Sequence, residues 1–107
     1  MLDLAPQHLA SLLALLEQYV PDSEVWVYGS RVEGRSHAAS DIDLVVRNSD
    51  DLTQAHPKLW ELKDALAESN LPVLVDVMDW ARVPEHFRQG MQKSHVVLRN
   101  GREPYAH

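Results

Sequence analysis

The chain has no cysteine among its 107 residues, which removes a disulfide framework and a thiolate zinc site from consideration. It also lacks any apolar run approaching the roughly 18 residues that suggest a membrane span, and no basic segment precedes its first apolar stretch. The expectation is a cytoplasmic protein without a membrane partner. Positive charge is scarce: 10 lysines and arginines stand against 16 aspartates and glutamates, a formal net charge of −6. Nonspecific binding to DNA or RNA is driven by cationic side chains neutralising phosphates, so no direct nucleic acid binding is expected. The six histidines are scattered without the one-turn spacing of metal ligands and read as surface residues. With this length the chain reads as one domain, residues 1–107, too small to hold both a catalytic domain and a separate acceptor-binding domain. A large acceptor has to come from outside.

Glycine is also rare, with four in all, and one of them opens the most informative stretch of the chain. The β-branched and aromatic run Glu24-Val25-Trp26-Val27-Tyr28 stops at Gly29-Ser30, where a strand should end. Glycine permits close backbone approach, and a serine opening a helical turn offers a hydroxyl and nearby N–H groups to an anion. Arg31 and Arg35 stand close by as cationic donors. Shortly after comes Asp41-Ile42-Asp43. In a strand, alternate side chains share a face, so Asp41 and Asp43 project together while Ile42 and Leu44 point into a core. Two carboxylates in one small volume repel unless a hard cation with oxygen ligands lies between them, which makes magnesium the natural candidate.

A coarse reading places these residues on a small α/β scaffold, a mixed sheet with packed helices. Pro6 and the spacing of Leu9, Leu12, Leu13, Leu16 and Val20 predict a helix over 6–20. Strands are expected at 24–28, 41–47 and 71–78, with an edge strand at 96–98. Helices are expected at 57–69, opened by Pro57, and at 84–93, opened by Pro84. The tail 101–107 reads as frayed.

Asp76 sits between Val75 and Val77, a costly place for a carboxylate without a partner such as a cation. Its rival is Asp79, read as a turn or helix-start residue before Trp80. Trp26, Trp60 and Trp80 are read as packing material rather than stacking platforms, and Ser40 as a turn residue.

The run from Gly29 through Asp41-Ile42-Asp43 to Val46 resembles the signature of the DNA polymerase β-type nucleotidyltransferase superfamily. With the later Val75-Asp76-Val77-Met78-Asp79-Trp80, the short chain is similar to the minimal nucleotidyltransferase (MNT) family, often the antitoxin half of HEPN/MNT pairs. The resemblance implies the nucleotidyltransferase fold and transfer of AMP from ATP to a hydroxyl, a tyrosine on a HEPN-domain ribonuclease toxin, within a hetero-oligomer. It implies two magnesium ions at Asp41, Asp43 and Asp76, and nucleotide held by Gly29, Ser30, Arg31, Asp41 and Asp43. Two other readings stay open on the residues alone: a non-catalytic antitoxin that occludes its partner, and a small-molecule nucleotidyltransferase of the aminoglycoside-modifying type.

Overall fold

A computed structural model describes residues 5–29, 42–48, 52, 56–72 and 74–100. Helix α1 spans Pro6–Tyr19; Pro6 occupies the first turn, where its missing N–H costs nothing, and Pro21 follows the end of the helix. Strand β1 is Ser23–Tyr28, β2 is Ile42–Asn48, helix α2 is Leu59–Ala67, and β3 is Val75–Asp79. A single 3-10 turn, Trp80–Arg82, leads to helix α3 at Glu85–Lys93 and to strand β4 at Val96–Asn100.

The sheet runs β3-β2-β1-β4. Strand β1 pairs antiparallel with both β2 and β4, whereas β2 and β3 run parallel, so the expected mixed sheet is present. Parallel neighbours need a crossover, and α2 supplies it.

Period-two alternation sorts the side chains onto two faces. One face carries Val25, Val27, Ile42, Leu44, Val46 and Val77, which pack with Leu12, Leu16 and Val20 of the α1 segment and with Leu62 and Leu66 of α2. On the other face Trp26 and Val45 pack with Trp80, Val83 and Met91. Both central strands are therefore covered on two sides, which is why they read as continuous apolar runs. Trp26 meets Trp80 edge-on at 5.3 Å and stacks flat on His95 at 3.7 Å. Arg47 lies over both indoles, 4.1 and 4.6 Å from their centroids, and pairs with Glu24.

Several expectations need correction. Strand β3 begins at Val75 rather than 71, because the chain is still closing the end of α2 there: Ser69 Oγ donates to Leu66 O at 2.7 Å and accepts from Leu71 N at 3.4 Å. Helix α2 starts two residues after Pro57, following a turn in which Lys58 N donates to His56 Nδ1 at 3.0 Å. His95 is not a surface residue: its ring lies against Trp26 and its Nδ1 is 2.7 Å from Met91 O. Trp60 does not pack, being 76% exposed. The tail 101–107 and Ser40 lie outside the described residues.

Leu16 is fully buried where α1 meets the sheet. Leu16→Ala should lower unfolding free energy by about 2–5 kcal/mol, seen as a lower urea midpoint at unchanged slope. A loss below about 1 kcal/mol would mean that α1 does not seal this face.

Candidate active site

The strand registers line up one row across the sheet: Tyr28 is opposite Asp43, and Asp43 is opposite Asp76. By alternation all three side chains leave the face that carries Trp26, Val45 and Met78. At a strand spacing of about 4.8 Å the two carboxylates are immediate neighbours. The row lies at one end of that face, beyond the Trp26–Trp80 cluster. Asp76 is exposed, and Asp43 and Tyr28 are half-buried.

Gly29 ends β1 with φ +87°, in the left-handed region that disfavours a side chain. A Cβ built there would lie 2.7 Å from Asp43 Oδ2. The missing side chain thus makes the space in which the Asp43 carboxylate sits, and the turn backbone and the carboxylate are pressed together. The chemistry registers at Tyr28, whose phenol is pushed up to about 12, first by burial and then by the negative charge of Asp43 and Asp76. Burial penalises a charge of either sign, whereas the share from Asp43 and Asp76 is negative charge that a cation would offset. Carboxylate oxygens on one face, next to a backbone turn without a side chain, fit a hard divalent ion.

Asp79 is placed differently. It belongs to the opposite face, 5% exposed, with Oδ1 accepting from Ala81 N at 3.2 Å and Oδ2 from His56 N at 2.8 Å. It caps the 3-10 turn and anchors the segment before α2, the turn role expected for it. Ser30, Arg31 and Asp41 lie outside the described residues.

Two clefts open from the row. At the Asp76 end, a cleft of about 360 Å³ wraps past β3 and is lined by His56, Trp60, Lys63, Asp76 and Arg82, among others. Lys63 Nζ lies 5.5 Å from the exposed Trp60 ring. At the Gly29 end, a smaller cleft of about 190 Å³ separates Tyr28 and Gly29 from α3. Sequence reasoning missed both clefts and the part Tyr28 plays. Only the register across three strands reveals the tyrosine, although its place next to Gly29 was a signal.

Comparison with known proteins gives the family. The Polymerase beta nucleotidyltransferase family model matches residues 11–103. The chain belongs to that family, in its minimal MNT branch. A probable protein adenylyltransferase MntA of Haemophilus influenzae is 40% identical over 97 residues, covering 91% of this chain and 83% of the relative. A toxin–antitoxin crystal structure with AMP-PNP superposes with a TM-score of 0.68 at 27% identity, over 89% of this chain and 75% of that one. A complex of a tri-AMPylated Shewanella oneidensis HEPN toxin with an MNT antitoxin shares the fold, with a TM-score of 0.63 at 23% identity, over 94% of this chain and 76% of that one.

Tyr28 offers a direct test of the acidic row. Its unfolded phenol titrates near 10 and its folded one at about 12, so its contribution to stability is full below pH 10 and is lost as pH rises through that window. Ultraviolet titration of the wild type minus Tyr28→Phe isolates this group. Asp43→Asn should bring its pKa part of the way down, since burial remains; an unchanged pKa would mean that the Asp43 carboxylate does not face the phenol.

Proposed function

We propose that this chain is a protein adenylyltransferase antitoxin: it transfers AMP from ATP to a tyrosine hydroxyl of a HEPN-domain toxin and so silences it. The observation that carries the reading is the row Tyr28, Asp43, Asp76 ending on a side-chain-free turn at Gly29. The resemblance in sequence to MntA supports it, as does the fold likeness to toxin–antitoxin complexes. The chain acts as a single minimal domain in the cytoplasm, within a hetero-oligomer that brings the acceptor. No described helix is long and apolar enough to cross a membrane.

The row has two ends, and they serve the two substrates. The Gly29 backbone, with Ser30 and Arg31, takes the β- and γ-phosphates of ATP, exploiting close backbone approach and N–H donors. Asp76, exposed beside the larger cleft, faces the acceptor. The acceptor oxygen attacks the α-phosphorus in line, the bond from that phosphorus to the bridging oxygen of pyrophosphate breaks, and pyrophosphate leaves. The hydroxyl proton passes to Asp76 and then to water. Asp43 and Asp76 would hold magnesium, and Asp41 joins them on the sequence alone, as the first carboxylate of the Asp-x-Asp pair. Bound magnesium supplies charge neutralisation at the attacking and leaving oxygens. Gly29 leaves the Asp43 carboxylate the position it needs; a side chain there would push it off the row.

Incubation of the chain with labelled ATP, magnesium and its HEPN partner tests the reading. Label should appear on a partner tyrosine, vanish with excess chelator, and fall to background for Asp43→Asn and Asp76→Asn. Both variants should keep wild-type thermal stability or exceed it, because removing one carboxylate relieves repulsion. Complex formation without label would instead favour occlusion, and label on a small molecule an aminoglycoside-type activity. Near-normal transfer by Asp43→Asn would overturn the mechanism.

A further inference from the structure

The cleft at the Gly29 end has a composition that the phosphate and metal roles do not use. Its walls are Tyr28 and Gly29 on the sheet side and His86, Phe87, Gly90, Met91 and Ser94 on the α3 side. Phe87 is 56% exposed, a large apolar ring left in water. Its ring lies 4.5 Å from that of His86, tilted by 33°, so two flat π-systems sit together at the mouth. One helical turn after His86 stands Gly90, where an added Cβ would meet no heavy atom within 4 Å. Helix α3 therefore keeps an open notch facing the turn, above a floor formed by buried Met91.

We propose that this cleft seats the base of the donor nucleotide, with the Phe87 ring as its stacking surface. The assignment rests on the nucleotidyltransferase reading above and names the part of the substrate that reading leaves unplaced. Continuity decides the occupant: the cleft begins at Gly29, so a nucleotide whose phosphates lie on that turn has its ribose and base within reach of α3. Size agrees, since about 190 Å³ suits a flat bicyclic ring and not a whole nucleotide, for which sites run from about 300 Å³ upward. Stacking is tolerant of base identity because every base has a π-face. Besides aromatic and apolar side chains, the lining offers the Tyr28 and Ser94 hydroxyls and the His86 imidazole as hydrogen-bonding groups, so ring area separates purine from pyrimidine while these polar groups are available to the base edge.

The test uses the full chain with magnesium and measures binding of ATP, CTP and inorganic tripolyphosphate, the last as a probe without a base. Phe87→Ala should weaken ATP about tenfold and leave tripolyphosphate unchanged. Phe87→Trp should restore ATP binding. Gly90→Leu, which fills the notch without striking backbone, should weaken ATP to a similar degree, again sparing tripolyphosphate. Wild type should prefer ATP to CTP. Melting temperatures near wild type are expected, because Phe87 is exposed and the notch is open. Unchanged ATP affinity in both Phe87→Ala and Gly90→Leu overturns the proposal, as does a parallel loss of ATP and tripolyphosphate. A defect confined to KM for the partner protein overturns it too, assigning the cleft to the acceptor. A wild-type chain that binds neither ATP nor tripolyphosphate sinks the nucleotidyltransferase reading and the base cleft with it, a result distinct from intact ATP binding that ignores Phe87.

Discussion

A slip of β2 by one residue against β1 would carry Asp43 onto the face of Leu16 and Leu62 and bring Ile42 and Leu44 out in its place. That exchange buries a carboxylate in an apolar layer and exposes two fully buried side chains, Ile42 and Leu44, each worth about 1.5–3 kcal/mol of burial. The register of β2 is thus held by the core, and every functional position depends on it. Because β2 pairs on both sides, the same register sets Tyr28 on one flank of Asp43 and Asp76 on the other. The chemistry of the row is a by-product of packing that is decided on the opposite face.

The second face is filled only part of the way along the strands. Trp26, Val45, Trp80, Val83 and Met91 close it under α3, and His95 and Arg47 complete the stack on Trp26. Arg47 is tolerated there because its guanidinium faces two indoles and the Glu24 carboxylate, so its charge is compensated where water is scarce. Among the described residues, the apolar layer ends at Tyr28 and Met78, and Asp43 and Asp76 continue the row that Tyr28 opens. Repulsion between Asp43 and Asp76 is bearable because Asp76 is solvated at the sheet edge.

What the sequence made legible follows from how local each signal is. The turn at Gly29 is a local signal, and so are the alternation that sets Asp43 on the face opposite Ile42 and Leu44 and the place of Asp76 between two valines. Asp79 could be read as a turn residue because a carboxylate just before a helical turn accepts its N–H groups. His95 could not be read, since its environment is Trp26, far away in the chain and adjacent only through the β1–β4 pairing. Trp60 departs from the preference for burying large aromatics, and helical geometry gives the reason: Leu59, Leu62 and Leu66 define the inward face of α2, and Trp60 is turned about 100° from Leu59. Tyr28 needed the register, and nothing within its own strand announces which residue of β2 it faces.

Helix α3 ties stability to substrate geometry. Its few apolar side chains divide between two tasks: Met91 anchors the helix to the tryptophan cluster, and Phe87, one turn earlier, is left exposed toward the Gly29 turn. Arg88 fixes the same helix from its other side, donating through Nη2 to Trp80 O at 2.9 Å and through Nε at 3.2 Å. The distance from α3 to the turn is therefore set by Met91, which floors the cleft, and by Arg88 and Trp80, which lie outside it. A change in the Trp26–Trp80–His95 stack would move α3 as a unit and alter the width of the cleft along with the core, so altered nucleotide affinity in such a variant reports displacement of the helix rather than a contact made by the tryptophans.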